Sequence, residues 1–156
     1  KINLIKVETA EEMFKATQKN LPTDIAVFTA AVADFKINKI SAEKLKKDEI
    51  KNISLEKNVD ILNYVSNHNS MRPKLVIGFA AETNDINNKA ISKLKNKNCD
   101  WLIVNDVSRK DIGFNSDYNE VTIHYKETRK NKEKLLFKKK SEISDEIVER
   151  IVGQFN

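Results

Sequence analysis

The chain has 156 residues, of which 33% are charged and 40% are hydrophobic, with only 3 Gly and 2 Pro. That length fits one domain, and that composition excludes a disordered, a collagen-like or a loop-rich all-β protein. The formal net charge of +5 leaves an acidic ligand or nucleic acid open as a partner, although lysine-rich runs are usually solvated surface.

Cysteine use and hydrophobicity indicate the compartment. The single cysteine, Cys99, has no disulfide partner and no metal-ligand pattern beside it, so we interpret it as a small core residue in a reducing compartment. No apolar run approaches the roughly 18 residues that a membrane span needs, and no signal-peptide pattern opens the chain. We therefore expect a cytoplasmic location and no membrane partner. Because the chain begins at Lys1 rather than methionine, we also expect a portion of a longer protein.

The first third of the chain predicts a β-α-β order. Residues 2–7 alternate as a strand does, and Thr9 and Glu12 form a capping-box pattern that starts a helix running to Asn20. Residues 25–29 then form a second strand, which overlaps the start of the apolar run 26–35. Several large apolar residues in succession are typical of a parallel strand that is buried on both faces.

The middle of the chain alternates between weak and strong signals. Residues 35–49 are lysine-rich and without period, which predicts a loop with one short helical turn. A moderate strand is expected at 50–55 and a helix at 60–65. The strongest strand is expected at 74–79, followed by a helix that starts near Asn84 or Asp85. The residues expected on the buried face of that helix are Ile86, Ala90, Ile91 and Leu94.

The last third predicts a change from parallel to antiparallel pairing. Residues 101–104 form another doubly buried strand, and 121–125 with 134–138 form a hairpin at the sheet edge. From Ser144 onward the apolar spacing is helical. The expected buried residues of this helix are Ile147, Val148, Ile151, Val152 and Phe155. The fold class is therefore α/β, with a mainly parallel sheet and a C-terminal antiparallel hairpin.

Two strands end in the same way, in alanines followed by a carboxylate. The run 26–35 has Asp34 as its second-last residue, and the run 75–83 has Glu82 in the same place. Small residues at the carboxyl ends of parallel strands let a ligand approach the backbone, so we place the ligand site at this edge. Asp34, Glu82 and a third strand-end carboxylate, Asp106, are each open to three roles: binding a metal, accepting a bond from a ribose, or capping a loop.

Lysines are the candidates for phosphate binding, since neither GxGxxG nor GxxxxGK[ST] occurs in the chain. Lys44, Lys46 and Lys47 follow the Asp34 strand. Lys93 and Lys97 lie four apart and share a helix face, where like charges cost about 0.2–0.5 kcal/mol unless an anion binds between them. Solvated surface lysines are the alternative.

Other chemistries receive less support. His68 and His124 have no partner in sequence, so neither is assigned as a ligand, and no nucleophile arrangement is present. A nucleic-acid-binding module would be expected to interleave aromatic and basic residues, and a pyridine-dinucleotide reductase to carry GxGxxG. We therefore expect no nucleic-acid partner.

Six segments, taken in order, carry a resemblance to a known family. They are AAVADF (30–35), EKLKK (43–47), NVDI (58–61), GFAAET (78–83), NDV (105–107) and GFNSDYN (113–119). Over almost the whole chain they resemble the phosphopantothenate–cysteine ligases, the synthetase portion of the bacterial bifunctional coenzyme A biosynthesis flavoprotein. The resemblance implies a Rossmann-like three-layer fold and one ligase domain over residues 1–156. It implies CTP as co-substrate, Mg²⁺ as cofactor, and 4'-phosphopantothenate and cysteine as partners that react through an acyl-cytidylate.

The resemblance also assigns site residues. It implies that Lys44 is catalytic, as a loop lysine that closes over the intermediate, and that Asp34 is the one metal ligand. The implied nucleotide contacts are Phe28, Thr29, Ala30, Asp34, Lys44, Asn58, Val59, Asp60, Ile61, Phe79, Lys93 and Lys97. Phe28 and Thr29 replace a small pair that is usual in the family, and Val59 stands where proline is common.

Some of the family pattern has no counterpart in these residues. The Gly-rich first strand and the segment with the catalytic asparagine would lie upstream of Lys1, and that segment also helps to form the family's homodimer. The resemblance allows a fused decarboxylase domain upstream, which would be the only domain to bind FMN. The alternative is a degenerate, non-catalytic nucleotide-binding homologue.

Overall fold

The structure, a computed structural model, describes residues 2–38, 52–108, 116–126 and 131–156. The helices in these ranges are α1 (Ala10–Lys19), α2 (Ile61–Ser66), α3 (Ile86–Lys97) and α4 (Lys140–Gly153). The strands are β1 (Ile25–Phe28), β2 (Phe35–Ile37), β3 (Leu55–Lys57), β4 (Leu75–Glu82), β5 (Trp101–Asp106), β6 (Tyr118–Tyr125) and β7 (Lys132–Lys139). None of the helices in these ranges is long and apolar enough to cross a lipid bilayer.

The central sheet has five strands in the order β1-β4-β5-β6-β7. β1, β4 and β5 run parallel, whereas β6 and β7 are antiparallel to their neighbours. The strands β4 and β5 end together, since Glu82 at the end of β4 pairs with Asp106 at the end of β5. This arrangement confirms the expected α/β fold with a C-terminal hairpin, and it gives the parallel strands a common carboxyl edge.

Helices cover both faces of the sheet, so the fold has three layers. On one face, Ile143 and Ile147 of α4 join a core with Ile77 and Ile103. On the other face, α2 and α3 pack on Val76, Leu102 and Val104. The first four residues of β5 are buried on both sides, as the apolar run predicts.

The capping box of α1 forms as the sequence predicts. The Thr9 hydroxyl accepts from the Glu12 amide at 3.1 Å, and the Thr9 amide donates to the Glu12 carboxylate at 3.2 Å. These bonds satisfy amides that have no partner within the helix. The ring of Phe14 on α1 then meets the ring of Tyr64 edge to face, with centroids 4.8 Å apart, so α1 packs beside α2.

Arg72 ties the elements together at the amino edge of the sheet. Its guanidinium donates to the Ser66 carbonyl at the end of α2 at 2.8 Å and to Asp100 at 2.9 Å. The other oxygen of Asp100 accepts from the Val76 amide at 2.7 Å. Charged hydrogen bonds of this kind are the strong ones. They fix the starts of β4 and β5, at the edge of the sheet opposite the carboxyl ends of the parallel strands.

Two expectations about the first strands are wrong. Residues 2–7 form no strand, and Ile2 is 93% exposed, because an alternating pattern does not supply the neighbouring strand that a ladder needs. The parallel neighbour of β1 is therefore β4. β1 is also not buried on both faces, since Val27 is 45% exposed where the strand lies at the edge of the sheet.

The expected loop at 35–49 and strand at 50–55 are also corrected in part. β2 and β3 pair antiparallel as a separate ribbon, so the second strand overlaps its expected range only at Leu55. The base of this ribbon is clamped by Asn58, whose amide donates to the Asp34 carbonyl and whose side chain donates to the Ala33 carbonyl, both at 2.8 Å. Residues 39–51 lie outside the described ranges.

The helices bury narrower faces than the sequence predicts. Ala90 and Leu94 are buried in α3 as expected, but Ile91 is exposed. α4 begins before Ser144 and contacts the sheet along the row of Ile143 and Ile147. The apolar residues of this segment that are instead exposed are Val148, Val152 and Phe155. A helix that meets a flat sheet along one i, i+4 row leaves the flanks of its apolar stripe uncovered.

The environment of Cys99 predicts that its thiol reacts slowly. The side chain is fully buried, and burial raises its pKa to about 11. Because the thiolate is the nucleophile, we expect the folded protein to react with a disulfide reagent at least about 100-fold more slowly than the unfolded protein at pH 8. Labelling followed with and without guanidinium measures this ratio, and equal rates in the two conditions would refute it.

His124 predicts a pH dependence of stability. The residue is 3% exposed on β6, its Nε2 has no hydrogen-bond partner among the described residues, and burial, aided by nearby Lys132, lowers its pKa. The unfolded chain therefore takes up a proton near pH 6.5, where the folded chain does not. The contribution of neutral His124 to the free energy of unfolding is fully present above about pH 6.5 and is lost as the pH falls towards the folded pKa. Its size is about 1.4 kcal/mol for each unit by which the folded pKa lies below the unfolded pKa.

Urea denaturation between pH 7.5 and 5 measures this effect. The substitution His124→Gln should flatten the dependence, whereas His68→Gln, which removes the other histidine, should retain it. An unchanged slope for His124→Gln would contradict the assignment.

Candidate functional site

A cleft of about 660 Å³ lies at the carboxyl edge of the parallel strands. Its walls come from Phe28 at the end of β1 and residues 30–35 after it, from the segment 57–62 that enters α2, from the end of β4 at 79–81, and from α3. Clefts of roughly 300–1,000 Å³ are the usual size of small-molecule sites, and this edge is where open α/β sheets bind ligands. The cleft therefore lies where the sequence places the ligand site.

Small residues make the backbone accessible in the cleft. Ala30, Ala31 and Ala33 line it on the β1 side, and Ala80 and Ala81 line it on the β4 side. Side chains of this size let a flat or charged ligand approach the main chain closely. The two alanine-rich strand ends thus line a single cavity.

Gly78 leaves space on β4 for the side chain of Leu62 on α2. A Cβ atom at this position would lie 2.7 Å from Cδ2 of Leu62 on α2 and 3.3 Å from Cδ1 of Leu102. The first distance is shorter than real Cβ contacts, so a side chain at this position would force the end of the Leu62 side chain to shift. The close packing brings Asp60, which caps α2, to the cleft wall.

Asp60 joins α2 to α3. One carboxylate oxygen accepts from the Asn63 amide at 2.9 Å and caps the helix, and the other pairs with the ammonium of Lys97. Both Asp60 and Lys97 line the cleft. The ion pair therefore holds the two helices together across the site.

The second lysine of α3 has its own carboxylate. Lys93 Nζ lies 2.5 Å from Glu82 Oε1, and Lys89 Nζ lies 3.6 Å from Glu82 Oε2. The Glu82 side chain is only 8% exposed, and the bond from Lys93 lowers its pKa. The neighbouring cations of α3 are thus compensated by Glu82 and Asp60, and the repulsion expected between Lys93 and Lys97 is offset without a bound anion.

The structure brings together most of the residues that the sequence predicts for nucleotide binding. The ones that line the cleft are Phe28, Ala30, Asp34, Asn58, Val59, Asp60, Ile61, Phe79, Lys93 and Lys97. Thr29 stands between two lining residues without being one itself, and Lys44 lies outside the described residues, as do Lys46 and Lys47. Their roles in binding remain predictions.

The remaining strand-end carboxylate has a local role. One oxygen of Asp106 accepts from the Ser108 amide at 3.0 Å and from its hydroxyl at 2.6 Å, so it caps a turn. His68 likewise accepts the Met71 amide at 3.1 Å. Neither His68 nor His124 is among the described residues that line the cleft.

Two features of the site are missed by sequence reasoning. The pairing of Glu82 with Lys93 depends on how α3 lies against β4, and no local pattern signals it. The contact of Leu62 at Gly78 is also long-range, although an isolated glycine inside a strong strand pattern is a recognisable sign of close approach.

Within the described ranges, no group of three or more His, Cys, Asp or Glu residues is arranged to hold a metal ion. Mg²⁺ does not require such a cage, because it is commonly bound through one or two carboxylates together with substrate phosphates. Asp34 lines the cleft and fits that mode.

Comparison with known proteins gives consistent matches. Residues 1–154 match the sequence profile of the family described as DNA/pantothenate metabolism flavoprotein C-terminal domain. The chain is 36% identical to the coenzyme A biosynthesis bifunctional protein CoaBC of Haemophilus influenzae over 157 residues, which cover 99% of this chain and 38% of that protein. The homologous protein of Vibrio vulnificus strain YJ016 is 39% identical over 155 residues, with coverage of 96% and 37%. The chain thus spans well under half the length of these relatives.

A solved structure agrees with these matches. The crystal structure of the C-terminal domain of the coenzyme A biosynthesis bifunctional protein CoaBC aligns with a TM-score of 0.72 at 30% identity. The alignment covers 97% of this chain and 67% of that one.

The role of Gly78 is testable by substitution. Gly78→Ala should lower the free energy of unfolding by about 1–3 kcal/mol, because Leu62 must move to admit the methyl group. Gly153→Ala is the matched control, since a Cβ there meets no atom within 4 Å in the part of the chain that the structure describes. Urea denaturation measures both variants. If Gly78→Ala is as stable as the wild type, the close packing of α2 does not depend on glycine.

Proposed function

The chain belongs to the DNA/pantothenate metabolism flavoprotein C-terminal domain family, and from this premise we propose that it is the cysteine-ligating portion of a coenzyme A biosynthesis enzyme. The names of its relatives support the pathway. The observation that carries the proposal is the cleft, in which two α3 lysines face two alanine-rich strand ends. We propose that this cleft binds CTP.

The proposed reaction has two steps. The carboxylate of 4'-phosphopantothenate attacks the α-phosphorus of CTP, which forms an acyl-cytidylate and releases pyrophosphate. The amine of cysteine then attacks the acyl carbon, which forms the amide, releases CMP and gives up a proton. Negative charge moves between phosphate oxygens in the first step, so cations fixed in advance favour it.

The cleft offers distinct groups for the two ends of CTP. Lys93 and Lys97 lie on one wall and would neutralise phosphates, while the alanines after β1 and in β4 would admit the nucleoside against the backbone. Phe79 provides an aromatic surface in the same cleft, and aromatic stacking is worth about 1–3 kcal/mol per base. Asn58 donates hydrogen bonds to the backbone of residues 33–34, which forms the cleft wall after β1.

Mg²⁺ belongs to the proposal. Asp34 would hold the ion jointly with the CTP phosphates, and the ion would supply neutralisation of phosphate charge. Lys44, which lies outside the described residues, is proposed as the catalytic loop lysine. We also propose a cytoplasmic location, a homodimer in the full-length protein and, if a decarboxylase domain is fused upstream, FMN in that domain only.

Calorimetric titration of the full-length protein with CTP and with ATP, in Mg²⁺, tests the nucleotide site. We expect saturable binding that favours CTP and that weakens at least about tenfold in Lys93→Ala/Lys97→Ala, since two charge-assisted bonds are lost. The control is Lys15→Ala/Lys74→Ala, which removes the same charge from exposed ion pairs with Glu11 and Asp24 outside the cleft.

The ligase assay separates the remaining alternatives. Formation of the cysteine amide from 4'-phosphopantothenate, with CMP and pyrophosphate as products, is the expected result. CTP binding without turnover would identify the degenerate homologue instead. A folded protein that binds neither nucleotide would overturn the proposal.

A further inference from the structure

Glu82 is a buried carboxylate that the proposed reaction does not use. It is the last residue of β4, and its side chain is 8% exposed. Burying a charged group is costly unless it is paired and hydrogen-bonded, so the residue requires an explanation. The pairing partners are Lys93 at 2.5 Å and Lys89 at 3.6 Å, both on α3.

The position of Glu82 on the sheet is well fixed. Its backbone is in register with Asp106 of β5, and its carbonyl accepts the Val107 amide at 3.0 Å. Lys93, by contrast, stands on a long flexible side chain that is about half exposed. A rigid strand end therefore anchors a mobile cation.

Glu82 and Lys93 differ in their relation to the cleft. Lys93 lines it, whereas Glu82 does not. A lysine ammonium has three donors, and its bond to Glu82 occupies one of them. The geometry of an ammonium thus allows Lys93 to bind Glu82 and a phosphate in the cleft at the same time.

Asp60, which caps α2, provides a contrast, because its partner Lys97 lies on the same face of α3 as Lys93. It pairs with Lys97 but lines the cleft itself, so its charge opposes an incoming phosphate. Glu82 pairs with Lys93 without lining the cleft itself.

We propose that Glu82 is a positioning residue that holds the ammonium of Lys93 at the cleft wall, where it binds a phosphate of the nucleotide. This inference rests on the proposed binding of CTP in the cleft. It predicts that Glu82 affects the nucleotide only through Lys93. It also predicts that removing the carboxylate weakens binding, although a negative charge is removed from the neighbourhood of an anion.

A double-mutant cycle in the full-length protein tests this inference. We expect Glu82→Gln to weaken CTP binding by about threefold to tenfold, measured by calorimetry in Mg²⁺, because Lys93 is no longer held where it binds the phosphate. In a Lys93→Ala background the same substitution should have no effect, because the residue through which it acts is absent. The control is Glu146→Gln, which removes a carboxylate on α4 from its ion pairs with Lys138 and Arg150, outside the cleft.

A second measurement does not depend on the nucleotide. Lysine acylation followed by mass spectrometry reports how freely each ammonium reacts. Lys93 should react about threefold to tenfold faster in Glu82→Gln than in the wild type, whereas Lys15 should not change. Restoring the carboxylate as Glu82→Asp should recover some of the protection.

The outcomes distinguish the two claims. Faster acylation of Lys93 in a protein that binds no CTP would retain the positioning role and reject the nucleotide site. Tighter CTP binding in Glu82→Gln would mean that Glu82 competes with the nucleotide, which overturns the inference. Equal loss in both backgrounds, or unchanged acylation of Lys93, would also overturn it.

Discussion

The close contact between α2 and β4 is the constraint on which the cleft depends. At Gly78 the sheet has no side chain, and Leu62 occupies the space. The Leu62 side chain packs α2 on β4 here, and Asp60 at the start of the same helix pairs with Lys97 on α3. Arg72 fixes the other end of the same elements at the amino edge. Packing at one residue and a hydrogen-bond network at another together determine where the cleft opens.

The electrostatics of the cleft follow from this framework. Each of two α3 lysines has a carboxylate partner, one buried behind the wall and one on the wall. The pair of Lys97 with Asp60 is partly exposed, and such pairs contribute little to stability, so exchanging Asp60 for a phosphate costs little. A site of this kind keeps its cations in place without a ligand and still presents them to one. The two carboxylates therefore have different expected effects on nucleotide binding. Glu82 would favour it by positioning Lys93, whereas the charge of Asp60 on the cleft wall would oppose it.

Local patterns predict much of this fold. The capping box at Thr9, the buried run at residues 101–104 and the hairpin depend on signals within a few residues, and the structure confirms each. The strand predicted at residues 2–7 does not form, because a strand needs a neighbouring strand that a local pattern cannot supply. The predicted burial of Val148 and Ile91 is wrong, because helical spacing identifies an apolar stripe but not how much of its width the sheet covers. The strand-end alanines locate the cleft, whereas the pairing of Glu82 with Lys93 requires the tertiary arrangement of β4 and α3.

A crystal structure of the full-length protein with CTP and Mg²⁺ tests the central claim most directly. We predict that the nucleotide lies in the cleft between the two alanine-rich strand ends. We further predict that the phosphates contact Lys93 and Lys97, that Lys97 has left Asp60, and that Lys93 still bonds to Glu82. A nucleotide bound elsewhere on the protein, with both lysines still on their carboxylates, would contradict these predictions.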